Sequence, residues 1–200
     1  MSRRSPRGAA RERILDAAAC LFYQDGIHAV GVDTIIAESG VAKMTLYRHF
    51  PSKDDLIAAY LERSNGRFWA WLEGEMAKAS DPRAKLVRAF RALGRQATSP
   101  SCLGCGFQGA AAEFPDAAHP AHKVALAHKR QVLERFTALG REAKLRSPEA
   151  LAGQLLLLMD GAWVAARMFG PKNPAARVAE AARALIAAHS PDRGKGGPRS

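Results

Sequence analysis

Two stretches of this chain hold side chains whose types and spacing could do chemistry. The first is Cys102-Leu103-Gly104-Cys105, followed by His119, His122 and His128. Two thiols close together and then imidazoles is the order of a tetrahedral zinc site. Cys105 to His119 suits the usual gap, but His119 and His122 stand one residue too close. His122 and His128 are well spaced, at the cost of a slightly long first gap. The same thiols could instead form a redox switch, or be two small residues in a loop before a helix, with three surface or pocket histidines. The second stretch is Lys43-Met44-Thr45-Leu46-Tyr47-Arg48-His49. It holds cations, a thioether and a phenol on a segment short enough to be one or two helical turns. Such side chains suit the edges and phosphates of duplex DNA.

The second stretch is only useful if something holds it outward. Val32, Ile35 and Ile36 are spaced as one buried helix face, and Gly40 then stops that helix. Val41 plugs the turn, and a second helix follows from about Lys43 to Phe50, with Leu46 and Phe50 on its inner side. A helix this short is not stable alone and must be propped on neighbours. The arrangement is that of a helix-turn-helix, which places its second helix in the major groove. The alternative is an ordinary helical hairpin with a solvated basic face.

Composition agrees with a polyanionic partner. The 200 residues carry a formal charge of +11, with a pI near 10.1 and 48% hydrophobic residues, which is ample for a packed core. The opening MSRRSPRGAARER has no apolar run and is not read as a secretory signal. The longest apolar stretch, Leu151 to Phe169, is interrupted by Gln154, Asp160 and Arg167, so it reads as a buried helix and not a membrane span. Three cysteines without export suggest a reducing compartment. A cytoplasmic protein is expected. Nothing points to catalysis. There is no nucleophile elbow, no phosphate-cradling glycine loop and no close carboxylate pair in an apolar helix. Glu113 near His119 is the nearest approach to an acid/base pair. No catalytic residue, cofactor or metal is assigned. Binding to a membrane surface through the basic helices is a further class, marked by lipid-dependent binding without preference for DNA sequence.

The rest of the chain reads as helices. Ile14, Ala17, Ala18, Leu21 and Phe22 line one face of a first helix that Asp25-Gly26 closes, with Cys20 just off that face as a small core residue. Ser52 caps a long helix that starts with Asp54 and Asp55 and runs to about Ala79. It is long enough to link two parts of the molecule. Asp81-Pro82 starts another helix; Thr98 to Gly109 is loop-like; short and long helices follow over 109–113 and 120–144. Ser147-Pro148-Glu149 caps a helix to Phe169 that is apolar nearly all round and so needs cover on every side. A last helix, Ala175 to His189, has an apolar stripe with small alanines. These two helices are expected to pair with their copies about a two-fold axis, with Leu155, Met159, Trp163, Val178, Ala182 and Leu185 at the interface. The domains expected are a disordered basic arm over 1–8 (Arg3, Arg4 and Arg7 near phosphates or a minor groove), a DNA-binding domain over 9–55 with the linking helix from 53, a second helical domain over 56–189, and a disordered tail over 190–200.

The N-terminal third resembles the TetR/AcrR family of bacterial transcription regulators. The resemblance is carried by Phe22-Tyr23-Gln24-Asp25-Gly26, Ile35, Ala37-Glu38-Ser39-Gly40-Val41, Thr45-Leu46-Tyr47, His49-Phe50, Lys53 and Leu56. Two positions depart from it: Ala42 stands where the family often has a capping Ser, and Ile36 where it often has a small alanine. The stretch Ala110-Ala111-Ala112-Glu113 is similar to one subgroup. The resemblance implies an all-α fold, with a three-helix N-terminal bundle and a larger helical domain that binds a small effector and dimerises. It implies that Lys43, Met44 and Tyr47 reach base edges, that Thr45, Arg48, His49 and Lys53 lie near phosphates, and that Asp33 and Thr34 lie beside the backbone or groove edge. It implies a near-palindromic operator, a homodimer, and repression relieved by an unidentified small molecule. Phe68, Leu72, Phe90, Phe107, Leu126 and Trp163 are candidates for the effector pocket.

Overall fold

The computed structural model describes residues 6–191; Arg3 and Arg4 of the expected arm, and the tail beyond 191, lie outside them. Nine α-helices and one 3-10 turn follow in order among the described residues: α1 (Pro6–Asp25), α2 (Val32–Ser39), α3 (Lys43–His49), α4 (Lys53–Met76), α5 (Pro82–Ala97), α6 (Gly106–Glu113), α7 (Pro120–Glu142), α8 (Pro148–Phe169), the 3-10 turn Pro174–Arg177, and α9 (Val178–Ala188). The all-α expectation holds. Helix α6 starts three residues earlier than its alanine run suggests, with Cys105 in the extended backbone of an N-cap. The last helix opens as a tight 3-10 turn after Asn173 accepts the Ala175 N–H at 2.8 Å.

The chain divides into two compact units, one of residues 1–69 and 105–129, the other of 70–104 and 130–200. The first therefore extends past residue 55 along α4, and takes in α6 and the start of α7. Its core joins Ile14, Leu15 and Phe22 of α1 with Ile35, Leu46 and Phe50, with Leu56, Ile57 and Tyr60 of α4, and with Phe107, Ala110, Ala121 and Ala125. The Phe22 and Tyr60 rings meet edge to face at 5.5 Å. Arg63, on α4, donates to the Leu15 carbonyl at 2.5 Å and pairs with Asp16 at 2.8 Å, fixing α1 to α4. Cys20 is exposed, not a core residue; it follows the inward Ala17 and Ala18 by a rotation that carries it off the buried stripe.

In the second unit α5 packs against α8, α9 and the 3-10 turn, and α8 packs against α9. Phe90 and Phe136, both fully buried, have ring centroids 5.7 Å apart. Asp81 caps α5 by accepting the Ala84 N–H at 2.8 Å, ahead of Pro82. Ser147 makes no such cap for α8; its backbone is left-handed there. Buried Asn173 donates to the Ala97 and Gly170 carbonyls at 2.8 and 2.6 Å, tying the α8–α9 connection to the end of α5. Helix α8 is long and apolar enough to cross a membrane by length and composition, yet its inner side, Leu151, Leu155, Met159 and Trp163, is buried in this unit.

Candidate nucleic-acid interface

Helix α3 is held by very few residues. Leu46 is fully buried and Phe50, just past its end, is 3% exposed. The Arg11 guanidinium lies 5.2 Å from the Phe50 ring centroid, bracing this end against α1. Before α3, Gly40 takes φ +62°, and its N–H closes α2 on the Ile36 carbonyl at 3.1 Å. An L side chain would be strained in that conformation, so glycine is what allows the tight turn. Ala42 occupies the N-cap of α3 and offers no side-chain bond, as the departure from the family pattern implies. After α3, Ser52 Oγ accepts the Asp55 N–H at 3.1 Å while Asp55 Oδ2 accepts the Ser52 N–H at 3.0 Å, a reciprocal cap that starts α4.

With Leu46 inward, the other side of α3 faces out. Met44 is 80% exposed and Tyr47 40%. Lys43 and Arg48 are exposed; Thr45 and His49 are half-buried. At this exposure the Met44 thioether buries little apolar area in the fold. The cations are lightly held. Lys43 Nζ lies 3.2 Å from Asp33 Oδ1 at the start of α2, with both side chains well exposed, and Arg48 reaches Thr45 Oγ1 at 3.4 Å. Exposed pairs of this kind contribute at most about 1 kcal/mol, so both side chains can change partners at little cost. Thr34 is exposed beside Asp33. Lys53 differs: its Nζ donates to the Ile27 carbonyl at 2.8 Å, so part of its donor capacity serves the α1–α2 turn.

That turn carries contacts absent from the local sequence pattern. Glu113, at the end of α6, accepts the Ile27 N–H at 2.9 Å on Oε1 and the His28 N–H at 2.5 Å on Oε2, and Oε2 also meets His28 Nδ1 at 3.0 Å. Burial raises the Glu113 pKa, but these hydrogen bonds together outweigh it and hold the carboxyl below the ordinary carboxylate value. Phe114 stacks between two imidazoles, His28 at 4.5 Å and His119 at 4.1 Å, and His119 Nε2 lies 3.5 Å from Asp54 Oδ2. A carboxylate in the last turn of a helix sits where the helix dipole disfavours it. That was the one sequence signal that Glu113 must find donors elsewhere.

The zinc-like spacing does not become a cluster: among the described residues no three of His, Cys, Asp and Glu come together as metal ligands. Each imidazole is committed to another partner. His119 Nδ1 accepts the Ala121 N–H at 3.2 Å, His122 Nδ1 lies 2.8 Å from the Phe114 carbonyl, and His128 Nδ1 lies 2.7 Å from Asn65 Oδ1. Burial, with the Lys129 charge beside it, pushes the His128 pKa down to about 3, so its imidazole is neutral. Cys102 is buried and Cys105 half-buried, both as thiols.

The pocket candidates are dispersed. Phe107 stacks on His128 at 3.8 Å and Phe68 meets the same ring edge-on at 4.7 Å, in the first unit. Leu72, Phe90 and Trp163 are buried in the second unit, where Phe90 also edges a cleft of about 320 Å³ with Arg91, Gly94, Arg95 and Thr98. Leu126 is 40% exposed; its helix turns it away from the row of Ala121, Ala125 and His128. The interface candidates differ in how far a single chain covers them. Leu155, Met159, Trp163, Val178 and Ala182 are buried within a single chain, and Leu185 is half-buried. An apolar helix does not reveal from its sequence which side is already covered. The side left open on α8 is Leu157, Gly161, Val164 and Met168, with Phe169 next to it; on α9 it includes Ala181, Ala184 and Ala188.

Comparison with known proteins places this geometry. Residues 14–60 match the family described as bacterial regulatory proteins, tetR family. SCO4454, a TetR-family transcriptional regulator from Streptomyces coelicolor, is 34% identical with a TM-score of 0.86, covering 92% of this chain and 97% of that one. A putative TetR transcriptional regulator (sav143) from Streptomyces avermitilis is 33% identical with a TM-score of 0.82, covering 90% and 97%. The HTH-type transcriptional activator FasR of Mycolicibacterium smegmatis is 36% identical over 90 residues, 45% of this chain and 41% of that protein. YxaF, an HTH-type regulator of Bacillus subtilis, is 38% identical over 77 residues, 38% of this chain and 40% of that protein. The chain thus spans about two fifths of the length of the curated relatives it matches.

Proposed function

The chain belongs to the TetR/AcrR family of helix-turn-helix transcription regulators, and on that premise we propose that it is a cytoplasmic repressor that binds a near-palindromic operator as a homodimer and is released by a small-molecule effector. The observation that carries the DNA reading is the two-sidedness of α3, with Leu46 fully buried and Met44 80% exposed one position from Lys43. Lys43 reads a guanine edge, and Met44 with the Tyr47 ring meets thymine methyls. Thr45, Arg48, His49 and the remaining donors of Lys53 hold phosphates, while Thr34 and Asp33 border the groove and Asp33 keeps the Lys43 ammonium in place until DNA replaces it.

Two such heads reach successive major grooves, about 34–36 Å apart. The open apolar strip of α8 with the alanine face of α9 is where the second copy packs. Gly161 and the alanines let helices approach closely, and Leu157, Met168 and Phe169 leave water on association. The effector binds in the second helical domain and shifts α4, altering the separation of the heads; this is a coupling between two sites and requires two states. Selection of bound duplexes from random DNA tests the DNA reading. It should yield an inverted repeat with half-sites one helical turn or slightly more apart. Recovery of unrelated sequences would refute it.

A further inference from the structure

Glu113 stands outside the reading helix and outside any effector-pocket assignment, yet three donors from 85 and 86 residues earlier in the sequence converge on it. All of them come from the α1–α2 turn, the segment that sets the direction of α2 and, through Gly40, of α3. The turn is gripped on both sides: its Ile27 carbonyl by Lys53 of α4, its Ile27 and His28 N–H groups by Glu113 of α6. Gly26, which opens the turn at φ +89°, leaves Glu113 Oε1 only 3.4 Å from where a Cβ would stand, so the carboxylate lies against the backbone itself. The Phe114 ring closes the same junction between His28 and His119. These contacts lie in one compact unit, and α6 is the element by which the chain re-enters that unit at Cys105.

From this convergence we propose that Glu113 is a positioning residue for operator recognition: a latch that fixes the reading head to α6. It touches no DNA. Its two oxygens accept from two successive backbone N–H groups, so it constrains the turn's orientation as well as its distance, and charge-assisted bonds of this kind are the strong ones. A displacement of α6 is thereby passed to the α1–α2 turn without passing through the recognition helix. The proposal rests on the operator-binding reading and specifies which residue sets the pitch of each head.

The consequence separates two kinds of binding. Non-specific DNA needs only cations near phosphates, which the latch does not supply. A two-half-site operator needs both heads held at one spacing. Glu113→Ala in the full chain should therefore weaken binding to the selected operator at least tenfold, leave binding to unrelated duplex within about threefold, and keep the same salt slope for both. Glu113→Gln, which keeps the shape and one acceptor but turns an NH₂ toward an N–H, should fall between. In Glu113→Gln the Ile27 and His28 amides should exchange with solvent faster, while those inside α3 should not. Equal losses on specific and non-specific DNA, or unchanged operator affinity in both variants, would overturn the latch. Should the unaltered protein select no sequence at all, the operator reading falls, and unchanged amide exchange at Ile27 and His28 in Glu113→Gln would still overturn the latch independently.

Discussion

Leu46 and Met44 stand two residues apart on one seven-residue helix, and truncating each to alanine should have opposite effects. Leu46 is 0% exposed in the core of the first unit. Leu46→Ala removes its buried methyl groups and leaves a cavity, because α1 and α4, linked by Arg63, cannot close on it. Substitutions of this kind cost about 3 to 5 kcal/mol, a large share of the whole stability of a typical domain. In a chain of this size that lowers Tm by roughly 6 to 20 °C. Met44, 80% exposed, loses almost no buried area in Met44→Ala, so Tm should stay within about 1 °C. If Met44 meets a base, what changes is recognition, by about 1 to 3 kcal/mol per half-site and confined to one base pair. The assay is a thermal scan by circular dichroism beside a titration with the selected operator and its single-base variants. A Leu46→Ala protein as stable as the parent, or a Met44→Ala protein that melts early while keeping its base preference, would refute the outward-held helix.

Three further outcomes follow from the geometry. Ala42→Ser supplies the missing N-cap of α3 and should stabilise the head by about 1 kcal/mol, read as a higher denaturant midpoint with unchanged slope. Leu157→Glu combined with Met168→Glu places charge on the open side of α8 and should convert a dimer to a monomer in sedimentation, leaving the far-ultraviolet spectrum intact; a dimer that persists would move the interface elsewhere. The Glu113 carboxyl titrates below its ordinary 4.5 in the folded chain. Its contribution is therefore fully present above that value and is lost as pH falls through the lower folded value. The Tm difference between the parent and Glu113→Gln should shrink as pH falls below 4.5; a difference that grows below 4.5 would contradict the assigned hydrogen bonds.

The reading helix was legible because its signals are local. The spacing of Val32, Ile35 and Ile36, the stop at Gly40 and the buried pair Leu46 and Phe50 all lie within twenty residues, and Ser52 and Asp81 cap their helices as side chains of that type do. What stayed hidden depends on partners distant in sequence. Periodicity identifies a face but not what covers it, so an α8 apolar all round gave Leu155 and Met159 to a second copy when its own chain buries them. The same limit concealed Glu113, whose donors lie 85 and 86 residues away. The Lys53 bond to the Ile27 carbonyl is hidden for the same reason, since it spans 26 residues. The Cys and His spacing resembles a ligand pattern, but each imidazole is claimed by a neighbour that no such pattern encodes.

On the function proposed above, the exposed side of α3 meets duplex DNA, and the salt dependence of operator binding by the parent and by Arg48→Ala probes that contact. The logarithm of the association constant should fall steeply and linearly with the logarithm of salt concentration, and the slope should become shallower by about two in Arg48→Ala, one phosphate contact in each half of the dimer. Equal affinity and equal slope for the two proteins would contradict it.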